Sequence, residues 1–336
     1  MSKLGWALTV AAILLGMSAA ASVAEMKKDF EAKLPTVVES VVLKFEGVEK
    51  GYDVYNCSIP FEWKGARYIF GRVEPHDKWA SSRTFLFREA GKDRWTRVLE
   101  FGALEMEDPY VQRVGGELVV GGTRVTKVSG ETVDYRGAFY RDHGKGPFHL
   151  EYFTTGPKMM KDIRLVEVAK GRIGVFTRPR GEDVRAKHGS ESVIGYVEIS
   201  DLDELTPERI ESAPVIEGIF GKDEWGGCNQ AYLRSDGTIL LAGHLCCLGT
   251  VASNGKPRQI YCNAAFRFDP ATRKASGLRL VATRRMYPAW DPKVPHLDDC
   301  VFTSGFVFND DGSVDVYTGL CDAAEGRIRL KDGIGL

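Results

Sequence analysis

One phrase recurs five times along this chain, and it restricts the fold more than any other feature. Each copy has a glycine-led turn, an apolar strand and a small or cationic residue at the strand's end. The copies run from Gly65 to Arg72, Gly116 to Thr123, Gly171 to Arg178, Gly237 to His244 and Gly312 to Gly319. Successive leading glycines are 51, 55, 66 and 75 residues apart. A drifting period of this size fits one small sheet per repeat, joined by loops of variable length, which is how a β-propeller is built. Alternating segments follow the copies, as at 84–88, 137–141, 194–199 and 264–268, the pattern of half-buried strands. The 37 glycines and the 10% aromatic content suit the same all-β class.

The expectation is therefore an all-β fold, a five-bladed β-propeller over residues 51–336. A β-sandwich is the alternative that glycine-bounded strands also allow. The last repeat looks one strand short. The β-branched run 37–45, within an N-terminal segment 25–50, is placed to supply that strand and close the ring. A polar helix-like segment over 26–34 precedes it.

Residues 1–24 read as a signal peptide. Lys3 supplies the positive region, residues 4–16 the apolar stretch, and Ala19-Ala20-Ala21 a small-residue cleavage site, with Ser22-Val23-Ala24 as a second. The apolar run is shorter than the ~20 residues a spanning helix needs, so export is expected, without membrane attachment after cleavage. Lys plus Arg is 45 and Asp plus Glu is 46, a balance that argues against a nucleic-acid surface. The seven cysteines contain no C-x-x-C pair, which removes support for a zinc site. Buried unpaired thiols are the plain reading, with a Cys57–Cys321 bridge as an alternative. No phosphate-binding glycine loop, dinucleotide fingerprint or metal-ligand spacing is present, so no cofactor or metal is expected. Oligomeric state is not readable.

A polar residue precedes each copy. Asn56, Asp108, Asp162 and Asn229 lie 9, 8, 9 and 8 residues before their glycines, and Asp299 lies 13 before Gly312. Arg72, Arg178 and His244 each lie 7 residues after theirs, and Arg124 lies 8 after Gly116. If the first strand of each blade lines the axis and the second returns antiparallel, these residues meet at one mouth of the ring. A concave site with convergent polar groups is the usual form of a ligand pocket. Singly, each has a duller reading: Asp and Asn often make turns, and His244 could be a satisfied core histidine. Trp225, followed by Gly226-Gly227 and near Asn229, suggests an aromatic platform for a sugar ring, or a core residue.

Residues 55–61 (Tyr-Asn-Cys-Ser-Ile-Pro-Phe), 71–75, Glu107-Asp108-Pro109, 161–165, 176–179 and 225–230 resemble the domain-of-unknown-function 1861 family over about 52–321. That family is similar to glycoside hydrolase family 130 and to the five-bladed propellers of families 43, 32 and 68. The resemblance implies an oligosaccharide or glycoside substrate, β-mannosides first, and makes Asp108 the proton donor to the glycosidic oxygen. Family 130 phosphorylases follow this motif with Arg, where this chain has Tyr110. Arg72, Arg178, Lys161 and His244 remain candidates for holding an anion. Since free phosphate is scarcer outside a cell, hydrolysis is the leading expectation. Asp108 then acts as acid with a raised pKa, and Glu74 or Asp162 as base, with the two carboxyls ~6.5–9.5 Å apart for inversion. The alternatives are a non-catalytic carbohydrate-binding propeller and a glycoside phosphorylase.

Overall fold

A computed structural model describes residues 21–79, 81–169 and 171–335. The proposed leader falls almost wholly outside them. The N-terminal helix spans Val23–Ala32, slightly earlier than expected, because Ser22 caps it in a reciprocal capping box with Glu25.

Five sheets follow, in sequence order. Sheet I pairs the interrupted first strand (Tyr52–Tyr55, then Phe61–Trp63) with Ala66–Pro75, followed by Arg83–Gly91 and Arg94–Arg97. Sheet II holds Glu107–Val114, Glu117–Val128, Glu131–Arg141 and Glu151–Thr155. Sheet III has three strands, Arg164–Ala169, Arg172–Thr177 and Gly195–Ile199, and Ile210 of the short helix Pro207–Glu211 joins the core beside it. Sheet IV runs through Trp225–Leu233, Ile239–Val251, Pro257–Asp269 and Lys274–Ala282. Sheet V has Val301–Phe308, Val314–Leu320 and Ala324–Leu330.

The five repeated phrases are the turns into the second strands and those strands themselves. Their leading glycines all have positive φ, from 74° to 85°, a backbone state that side chains with a Cβ adopt at a cost. The turn geometry thus explains why glycine recurs at that point in every copy.

The packing closes a cycle, which excludes a sandwich. Phe70 and Leu86 of sheet I share a cluster with Leu118 and Val120 of sheet II. Val119 and Phe139 of sheet II meet Leu165 and Val175 of sheet III. Phe176 of sheet III meets Leu241 and Phe268 of sheet IV, and Leu240 and Ala265 of sheet IV meet Val316 and Ile328 of sheet V. Val54 and Phe87 of sheet I then join Tyr317 of sheet V. The first strands of sheets II, III, IV and V contact one another in turn along the inner ring, and sheet I joins it through Ala66–Pro75 against Glu107–Val114 and Tyr52–Tyr55 against the later strands of sheet V.

The run 37–45 is shared between two sheets. Val37–Val42 pairs antiparallel with Ala324–Leu330 and completes sheet V, whereas Lys44–Glu46 runs parallel to Arg94–Arg97 on sheet I. Arg327 binds across this seam, reaching Glu39 at 2.7 Å, Asp93 at 2.8 Å and Asp315 at 3.0 Å. All seven cysteines are buried free thiols, Cys57 and Cys321 included, so the conceived bridge is not formed.

Candidate active site

The first strands break their pairing where they enter the mouth, and the polar residues sit at those breaks. Asn56, Asp108 and Asp162 have φ of 45°, 52° and 58°. Asn and Asp tolerate this left-handed state better than most residues, so backbone geometry accounts in part for their recurrence. Asn229 occupies a bulge between Cys228 and Gln230. The fifth member is Ser304, in the bulge between Thr303 and Gly305, and not Asp299. Asp299 lies apart, paired with Lys27 of the N-terminal helix at 3.1 Å.

The second strands deliver Arg72, Thr123, Arg178, His244 and Gly319 opposite these breaks. Gly319 is required there: a Cβ would lie 1.8 Å from Oδ1 of Asn56. Arg124 comes one residue late, and side chains alternate faces along a strand, so it turns outward. It donates to the Tyr140 hydroxyl at 3.1 Å and lies over the Tyr152 ring. Trp225 is also displaced from its expected role. It is buried, edge-on to Tyr261, and donates to that hydroxyl at 3.2 Å.

Arg72 organises one half of the crater. Its guanidinium reaches Asp108 at 2.9 Å, Glu107 at 3.1 Å and Glu74 at 3.2 Å, and lies 4.7 Å over the Tyr55 ring. Asp108 also accepts from Asn56 Nδ2 at 2.9 Å, with Lys161 Nζ 3.7 Å away. Burial pushes the Asp108 pKa up, but Arg72, Lys161 and Asn56 outweigh it and hold the carboxyl below its ordinary range. The expected elevation falls instead on its neighbour Glu107, raised by burial and by the Asp108 charge against the pull of Arg72 and Lys161. Glu74 is fully buried. It accepts from Lys293 at 2.8 Å, from Ser82 at 2.6 Å and from the Tyr55 hydroxyl.

Sheets III and IV build the other half. Asp162 accepts from Arg178 at 2.6 Å, with Arg164 at 3.6 Å, and these cations drive its pKa well down against burial. Lys161 is about a quarter exposed and stays protonated, because Asp108, Glu107 and Asp162 offset the cost of its burial. His244 is pushed down to about 3 by burial and by Arg178, so its ring is neutral. Neutral His244 therefore donates from Nδ1 to Asn229 Oδ1 at 2.6 Å, which leaves Nε2 as an acceptor. His244 Nε2, Asn229 Nδ2 and Asp162 Oδ1 form no hydrogen bond within the described residues.

Above these groups opens a cavity of about 360 Å³, with Arg72, Glu107, Lys161, Arg180, His296 and Asp322 in its wall. Sequence reasoning missed Asp322. It follows Cys321 in a left-handed pair, both at φ 55°, and burial together with Asp108 and Glu74 raises its pKa against the pull of Arg72. Consecutive non-glycine residues in this state are strained, a hallmark of functional sites. No pattern in the residues signals that conformation. Ser304 was findable, since it lies 8 residues before Gly312, the offset of Asp108 and Asn229.

The ring of five sheets with its polar mouth is a β-propeller, and comparison with known proteins supports a carbohydrate-active enzyme. The chain belongs to the DUF1861 family, described as a protein of unknown function, whose model matches residues 28–334. A mannose phosphorylase from Leishmania mexicana (MPT-4), solved with a phosphate ion, is 44% identical, with TM-score 0.84 over 91% of this chain and 92% of that one. A GDP-Man-dependent mannosyltransferase from the same organism (MPT-1) is 38% identical, with TM-score 0.82 over 92% and 93%. A β-1,2-mannobiose phosphorylase from Listeria innocua shares the fold at 15% identity, with TM-score 0.59 over 85% and 92%. No curated protein matches.

Proposed function

We propose that this protein transfers a mannosyl unit between a mannoside glycan and inorganic phosphate, as a phosphorylase. The observation that carries the reading is how the site divides its charges. Both carboxylates expected as hydrolytic bases are held in ion pairs, Glu74 by Arg72 and Lys293, Asp162 by Arg178 and Arg164. Lys161, in contrast, keeps its charge while facing the cavity. A phosphate oxygen is already a nucleophile and needs no base, whereas water does. The similarity to a phosphate-bound mannose phosphorylase supports the same choice.

In the degradative direction a phosphate oxygen bonds to the anomeric carbon, the glycosidic C–O bond breaks, and the leaving oxygen takes a proton from Asp108. Lys161 and Arg178 hold the anion, and the His244 Nε2 lone pair accepts from a phosphate or sugar hydroxyl. The ionised state of Asp108 in the free protein fits this scheme. Phosphate bound at Lys161 cancels a cation that keeps Asp108 ionised, so the anion's arrival raises the pKa of the acid it needs. Phosphate-dependent release of a mannose 1-phosphate from β-mannosides is the test. Equal sugar release with and without phosphate would replace this reading with hydrolysis, and binding without turnover would replace it with a lectin-like role.

We also infer export. The first described helix is capped by Ser22, which follows Ala19-Ala20-Ala21 in the sequence, and Val23 is buried with its amide donating to Glu224 at 2.5 Å. Cleavage after Ala24 would remove both. N-terminal sequencing of protein recovered from a secreting host should read Ser-Val-Ala-Glu, and an intact Met1 would refute the leader.

A further inference from the structure

A second cavity of about 530 Å³ runs between sheets I and II, with Ser82, Arg83, Thr123, Arg124, Thr126 and Lys127 in its walls. It shares Glu107 and Val125 with the crater, so the two spaces adjoin at the acid pair. That junction fixes its place in the chemistry. Asp108 must stand at the leaving oxygen, and a chain continuing from that oxygen passes its neighbour Glu107 and enters this groove. The anion-holding cations Lys161 and Arg178 come from sheet III's approach and edge, away from it.

The lining also fixes the kind of occupant. Arg83 is paired with Glu105 at 3.3 Å. Arg124 is held by the Tyr140 hydroxyl and the Tyr152 ring, and Lys127 donates to the Trp79 carbonyl at 3.0 Å. All three cations stand on the exposed wall of the groove, where solvent and salt screen them from a compact dianion more than they screen the largely buried Lys161 and Arg178. The exposed hydroxyls of Ser81 and Thr126, beside the carboxylate of Glu105, offer donors and acceptors. Such a surface recognises a neutral polyhydroxylated chain.

We propose that this groove is an extended subsite for the leaving-group side of an oligosaccharide, gripping sugars beyond the bond that is broken or formed. The proposal rests on the crater being a glycosyl-transfer site. Its consequence is a preference for longer glycans. Calorimetry on the full chain without phosphate, using linear β-mannosides of two, three and four units, should show affinity rising about tenfold from the shortest to the longest. Thr126 is exposed on the groove wall, so Thr126→Trp fills the space without entering the core. The variant should keep the wild-type circular dichroism and melting temperature and lose the gain with length, while Thr126→Ser keeps it. Length-independent binding by the wild type, or a Thr126→Trp protein that retains the gain, overturns the groove and leaves the crater reading standing. GDP bound by the wild type, lost in Thr126→Trp and paired with no length effect, would assign the groove to a nucleotide and overturn it too. Failure of the wild type to bind any of the glycans overturns the groove and the crater reading together.

Discussion

The two halves of the crater are built to the same plan and carry opposite surpluses. Sheets I and II bring Glu74, Glu107 and Asp108 around a single Arg72. Sheets III and IV, with the loop before them, bring Lys161, Arg164 and Arg178 around a single Asp162. One half thus has carboxyls in excess of cations, and burial with the Asp108 charge raises the pKa of Glu107. The other has cations in excess of carboxylates and a histidine kept neutral. The difference separates proton donation from anion binding, and Lys161 joins them, 3.7 Å from Asp108 and 3.9 Å from Glu107.

The comparison breaks most completely at Asp108. Asp108→Asn should lower kcat by ~10²–10⁴, the range for loss of a general acid. The fold should survive, because Arg72 keeps Glu74 and Glu107 as partners. Full turnover by a folded Asp108→Asn protein would falsify the assignment. The cationic half is probed at Lys161, whose partial exposure lets it be removed without stranding a fully buried charge. Lys161→Met should raise the KM for phosphate by about 10–100-fold, the scale of one lost charged hydrogen bond, with a smaller change for the glycan. Equal losses on both substrates would instead mean that Lys161 serves Asp108 alone.

How much of this was legible in the chain follows from the same contrast. The second strands stood out because one turn geometry demands glycine at the same point five times, and Arg72, Arg178 and His244 inherit that register. The first strands were legible only where the break favours Asn or Asp. In the fifth sheet the break holds Ser304, whose hydroxyl carries no such preference, while Asp299 in the preceding loop belongs to Lys27. Arg124 was misplaced by a single residue, enough to reverse its face. Trp225 was expected to present an open ring, but its partner Tyr261 lies 36 positions onward, beyond any local pattern. The opposite pKa shifts of the acid pair were not legible either. Glu107 and Asp108 are adjacent, and only the three-dimensional placement of Arg72, Lys161 and Asn56 decides which carboxyl is raised and which is lowered.

That decision can be sharpened at Glu107. Its pKa is raised by burial and by the Asp108 charge, so the pair releases its proton at a higher pH than an ordinary carboxyl would, and turnover should fall as the pH climbs through that step. Glu107→Gln cannot release this proton. The alkaline limb of kcat/KM should move or flatten, with kcat reduced about tenfold or less. A limb identical to wild type would place the titrating group elsewhere.

The smallest effect on turnover is expected at Glu325, which lies outside both halves. It is buried, accepts from the Cys57 amide at 3.0 Å and from Ser304 at 2.7 Å, and burial raises it to about 8. A carboxyl with an elevated folded pKa binds its proton more tightly in the native state than in the unfolded chain. Its stabilising contribution is therefore complete below the unfolded value near 4.5 and is lost as the pH rises through about 8. Glu325→Gln keeps the neutral shape and removes the titration. Wild type and variant should melt together near pH 5, and the variant should melt higher at pH 9, by an amount reflecting a few kcal/mol at most. Since Ser304 is the fifth ring residue, the same charge arriving at high pH is placed next to the crater floor without touching the acid pair or the anion seat. Parallel melting curves for the two proteins across that range would show that Glu325 is ionised throughout, and that the ring beneath the site tolerates a buried charge that its hydrogen bonds alone must balance.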